Sequence, residues 1–68
     1  MSVARVTEII SSSNESFEDA VKNGIKRANK TLKNVKGAWV DGQKVSCDSD
    51  GKIKEYRVIL KVSFVLDD

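Results

Sequence analysis

The chain has no histidine, no proline and one cysteine, Cys47. Without histidine it lacks the side chain that exchanges protons near neutral pH. With one thiol it can close no disulfide within itself. The same two shortages remove the usual ligands of a structural zinc site. No apolar run approaches the roughly 20 residues that cross a bilayer, and no glycine-rich phosphate motif is present. The 12 basic and 10 acidic residues are mixed along the chain, for a net charge of +2. That is a solvated surface and not the basic patch of a nucleic-acid binder. The first residues soon turn polar and reach Glu8, which does not suit a secretory leader. Together with the lone thiol this predicts a cytoplasmic protein.

A chain of 68 residues is expected to form one domain over 1–68, with a modest core. Chains this small gain stability from disulfides, a metal or association. The first two are excluded here, so a homo-oligomer is expected.

Val3 to Ile10 is rich in β-branched residues and reads as a strand. Ala4, Val6 and Ile10 fall on one face, Val3 and Ile9 on the other. Ser11-Ser12-Ser13-Asn14 reads as a break. Ser16 followed by Asp19 has the spacing of a capping box. From there Phe17, Ala20, Val21, Gly24, Ile25, Ala28 and Leu32 repeat at helical spacing, with lysines and Arg27 outside the stripe. The spacing predicts a helix over Ser16 to Lys33. Gly24 lies on its apolar stripe, where close approach to a sheet is the reason to expect glycine. Val35 to Val45 reads as a second strand interrupted near Gly42. Asp48-Ser49-Asp50-Gly51 reads as a hairpin turn, and Ile53 to Leu66 as a third strand. Tyr56, Val58, Leu60, Val62, Phe64 and Leu66 alternate without a break and predict the face that packs on the helix.

These elements predict an α+β fold: a β-α-β-β chain with a three-stranded antiparallel sheet, order 1-3-2, packed on one helix. The opposite face then exposes Ile59, Val65, Val35 and Trp39, which is too apolar for a small sheet facing water. Trp39, the only tryptophan, shares that face with Gly37, Asp41, Arg57 and Ile59 by period-two alternation. It suits a subunit interface or a stacking platform for a flat ligand, with Arg57 holding an anion. Cys47 and the N-terminal serines have no base to activate them, so no enzymatic activity is expected. The Asp48–Gly51 stretch shares part of a calcium-loop pattern but lacks its closing acidic ligand.

The chain resembles the dodecins. The resemblance rests on Val6-Thr7-Glu8-Ile9-Ile10, on Ser16-Phe17-Glu18-Asp19-Ala20 and on Ala28-Asn29-Lys30-Thr31-Leu32. Asn34-Val35 and the closing run from Glu55 through Tyr56 and Arg57 to Phe64 complete it. It spans the whole chain in order and length. It implies the same β-α-β-β unit, assembly of twelve subunits into a hollow sphere, and storage of flavins such as riboflavin or FMN without turnover. The family's stacking tryptophan follows the Asn-Val pair; here Gly37 stands there. The family's flavin-bonding glutamine follows the tyrosine of the third strand; here that position is Arg57. Neither role transfers to these positions, and Trp39, two residues beyond Gly37, is the candidate replacement for the stack. Dodecin-like proteins without the flavin pair are associated with calcium or other small ligands, which makes calcium the alternative cargo.

Overall fold

The β-branched runs and the single helical stripe sort into four elements in the computed structural model, which describes residues 3–66. They are β1 (Ala4–Ser13), α1 (Phe17–Leu32), β2 (Val35–Cys47) and β3 (Ile53–Val65). The strands form one sheet in the order β1-β3-β2, with both pairings antiparallel. This is the expected topology.

Helix α1 begins where Ser16 Oγ accepts the backbone N–H of Asp19 at 2.9 Å, satisfying one of the free amides of the first turn. Only that half of the capping box forms. The Asp19 carboxylate instead accepts from Ser13 Oγ at 2.6 Å and from Asn23 Nδ2 at 3.1 Å. The apolar stripe of α1 lies over β1 and β3. Ala20 and Ala28 on the helix meet Val58, Leu60 and Val62 on β3, and these residues form the buried core. Ile9, Phe17, Val21, Ile25, Leu32 and Val35 pack around it. A Cβ on Gly24 would stand 2.9 Å from both Leu60 Cδ1 and Ser11 Cβ. Glycine here lets the helix axis approach the sheet.

Two sequence expectations change. The serine run is not a break: β1 continues through Ser13. Ser11 and Ser13 point toward the helix, where their hydroxyls are satisfied by the carbonyl of Ala20 at 2.8 Å and by Asp19. A strand can therefore carry serine beneath a helix without an orphaned polar group. Val35 is not on the outer face. It pairs with Phe64 while Gly37 pairs with Ser63, so a bulge absorbs Lys36 and turns Val35 toward the core. A second bulge, between Val40 and Gly42, accounts for the interruption expected near Gly42.

The subunit is extended. Its radius of gyration is 13.9 Å, against about 11 Å for a compact chain of this length. Its accessible surface is 5132 Å², against roughly 4,250 Å² for a compact monomer of this mass. The excess includes Val6, Ile10, Trp39, Val40, Val45 and Ile53, all exposed.

Candidate ligand-binding face

The sheet face turned away from α1 can be read row by row from the strand register. Val6, Ser63 and Gly37 form one row, and Glu8, Lys61 and Trp39 the next. Ile10, Ile59 and Gly42 follow, then Ser12, Arg57 and Lys44. The face therefore runs from an aromatic end, through an apolar strip, to a cationic end. Trp39 is 62% exposed and Ile10 is 65% exposed.

The second bulge creates this order. Were β2 regular after Trp39, residues 41, 43 and 45 would share its face. The extra residue at Asp41 instead brings Gly42 and Lys44 onto it. Asp41 itself reaches Lys61, with Oδ1 3.8 Å from Nζ. Gly42 leaves the centre of the face open; a Cβ there would stand 3.6 Å from Ile59 Cδ1. The resulting hollow, about 300 Å³, is lined by Ile10, Gly42, Gln43, Lys44, Arg57 and Ile59. Its floor is apolar and its two charged side chains are both cations.

Gly37, Trp39 and Arg57 all lie on this face, as expected. They do not converge on one point. Trp39 stands opposite Lys61, four residues along β3 from Arg57, a separation of roughly 13 Å at the usual strand rise. Gly37 lies beyond Trp39 on the far side, with its carbonyl accepting from Ser63 Oγ at 3.2 Å. The guanidinium of Arg57 is held by Glu55, Nη2 to Oε1 at 2.6 Å. Sequence reasoning missed Lys44, Ile10 and Gly42 as site residues. Simple alternation puts Lys44 on the other side of the strand, and only the bulge brings it round.

A larger hollow, about 450 Å³, lies between α1 and the free edge of β1 and includes Ser11, Asn23 and Arg27. Four of its polar side chains are paired within the subunit: Ser11 with the Ala20 carbonyl, Asn23 with Asp19, and Arg27 with Thr31 at 2.7 Å. It contains none of the expected site residues.

At the hairpin tip Asp48 Oδ1 accepts the amides of Asp50 and Lys52 at 2.9 and 3.0 Å. Gly51 takes a φ of +80°, the conformation that requires glycine. The turn is thus built from Asp48's own carboxylate, while Asp50 remains exposed. Among the described residues no group of three acidic, cysteine or histidine side chains converges within the subunit. Cys47 is exposed and reduced. No helix of the described residues is long and apolar enough to cross a membrane.

A sheet covered by a helix on one side and open on the other, with an apolar and cationic hollow on the open side, defines a small β-α-β-β subunit with one covered and one open sheet face. Comparison with known proteins gives the family. The Dodecin family model matches residues 3–67, and the chain belongs to the dodecin family. It is 41% identical to a calcium dodecin of Mycobacterium tuberculosis over 94% of this chain and 89% of that one. Among solved structures, the dodecin from Streptomyces davaonensis superposes with a TM-score of 0.93 at 37% identity, covering 98% of this chain and 97% of the other. The structure of a calcium-chelating immunodominant antigen, calcium dodecin, from Mycobacterium tuberculosis, described with a novel calcium-binding site, gives 0.82 at 37% identity over 96% and 91%. Flavin and calcium are thus both open to this chain as ligands, with Gly37 and Arg57 where the flavin pair is expected.

Proposed function

We propose that this chain is a non-enzymatic storage or sequestration protein, one domain per subunit, which assembles as a hollow homododecamer in the cytoplasm. Its outer sheet face holds a small, flat, anionic molecule, with a flavin such as FMN as the family's example. The observation that supports this most is the open hollow with an apolar floor of Ile10, Ile59 and Gly42 and a cationic end of Lys44 and Arg57. Apolar floors take up flat rings, and the few charged groups in such hollows set ligand orientation. Trp39, at the other end of the face, offers a surface for stacking. The extended subunit and its exposed apolar residues favour assembly, since patches of that kind are covered in stable proteins.

The absorption spectrum of protein purified from its source tests this reading, together with light scattering for subunit number. A flavin band on a twelve-subunit particle supports it. A colourless particle that takes up no added FMN overturns the flavin reading.

The kinship with a calcium dodecin favours a second reading, in which calcium is the ligand. Calcium takes 6–8 oxygen ligands, so the site would be shared between subunits, with the exposed Asp50 as one donor. Calorimetry with calcium should then show binding that Asp50→Asn weakens; no heat at millimolar calcium removes this reading.

A further inference from the structure

Of the asparagines Asn14, Asn23, Asn29 and Asn34, only Asn23 is followed by glycine. Asparagine is a thermolabile side chain, and it fails fastest before glycine, whose amide has no Cβ beside it. The backbone nitrogen of Gly24 attacks Cγ of Asn23. The new N–Cγ bond closes a succinimide ring, and the side-chain nitrogen leaves as ammonia. Water then opens the ring at either carbonyl, which gives aspartate or isoaspartate.

The fold holds this reaction off. Asn23 and Gly24 lie in the second turn of α1, where helical pairing directs the Gly24 N–H to the carbonyl of Ala20. Ala20 is fully buried, and the same carbonyl accepts Ser11 Oγ at 2.8 Å. The leaving amide is held as well: Asn23 Nδ2 donates to Asp19 Oδ2 at 3.1 Å. Ser13 Oγ donates to that carboxylate at 2.6 Å from β1. Gly24 itself is buried against Leu60 and Ser11. Its nitrogen therefore reaches Cγ of Asn23 only when α1 opens at this turn and lifts from β1.

We propose that Asn23-Gly24 is a deamidation site that the packing of α1 on β1 keeps closed, and that its reaction marks a subunit irreversibly once this turn opens. Isoaspartate routes the main chain through the former side chain and adds a methylene between residues 23 and 24. The helix then loses register where a Cβ already has no room, 2.9 Å from Leu60 Cδ1 and Ser11 Cβ. A reacted subunit does not close again. Aspartate sets a carboxylate against Asp19 one turn earlier, and Lys26 and Arg27 along the helix offset it. Isoaspartate is thus the damaging product, and the site records the time a chain spends open.

The test is peptide mapping of the native protein and of the chain held unfolded in urea, both in warm, mildly alkaline buffer. Isoaspartate is counted with isoaspartyl methyltransferase. In urea Asn23 should react ahead of the other three asparagines. In the native protein it should react at least about a hundredfold more slowly, because local opening must come first. Ser11→Ala removes one bond from the Ala20 carbonyl and should speed the native reaction severalfold; elution at the native size verifies its assembly. Protein carrying isoaspartate at position 23 should lose the native size or unfold at lower urea. Equal rates in native buffer and in urea, or a Ser11→Ala protein that reacts no faster than wild type, would overturn the lock. Isoaspartate-bearing protein that keeps the native size and urea midpoint would overturn the irreversible marking.

Discussion

Leu60 and Ile59 are neighbours on β3, and their side chains leave the strand in opposite directions. Leu60 is fully buried beneath α1 with Val58 and Val62. Ile59 faces outward onto an open hollow with Ile10, Gly42 and two cations. Over β1 and β3 the helix side is closed by the chain's own residues, including serines whose hydroxyls find partners within the subunit, while Val40 and Val45 on β2 stay exposed beyond the helix. The outer side is left with apolar surface uncovered and with a repulsive cation pair. One face is optimised for folding, and the other retains features that a lone subunit does not need. That contrast is why the ligand site is assigned to the outer face.

Substitutions on the two faces should therefore separate. The largest effect is expected from Leu60→Ala, which empties the centre of the core and should lower unfolding stability by about 2–5 kcal/mol in urea titrations. Gly24→Val should follow, at about 1–3 kcal/mol, because even a Cβ at this position collides with Leu60 and Ser11. Gly42→Leu reverses the pattern. The Cβ meets Ile59 at ordinary contact distance, so urea stability should change little, while the side chain fills the hollow and lowers FMN affinity at least about tenfold, ~1.4 kcal/mol. Equal losses of stability from Gly24→Val and Gly42→Leu would abolish the distinction between the faces. Trp39→Ala should weaken FMN binding by about three- to tenfold, the worth of one stacking contact. The smallest effect lies outside both faces. Lys33 ends α1 with φ 56° and ψ 163°, a region suited to glycine, so Lys33→Gly should raise stability by about 0.5–1 kcal/mol with no change in binding.

Much of the helix side was legible in the sequence. Tyr56 to Phe64 alternate strictly, α1 carries an uninterrupted apolar stripe, and Gly24 announced the close approach that Leu60 and Ser11 make with it. The resemblance to dodecins pointed to the same topology. The outer face was legible only in part. Trp39, Gly37 and Arg57 were placed on it correctly because β3 is regular and the stretch from Gly37 to Trp39 contains no bulge. Val35 was misplaced and Lys44 overlooked for one reason: each lies across a bulge from Trp39, and one extra residue reverses the phase of everything beyond it. Nothing in Lys36 or Asp41 announces a bulge by type. The serines of β1 read as a loop in the sequence because their partners, Ala20 and Asp19, lie on the following helix.

The central claim is that the open sheet face carries the ligand, and Trp39 reports on it directly as the only tryptophan. Its fluorescence should be followed while FMN is added to the assembled protein. The account predicts saturable quenching at micromolar FMN that Gly42→Leu abolishes. Emission that stays constant through millimolar FMN, with the particle intact, would contradict it.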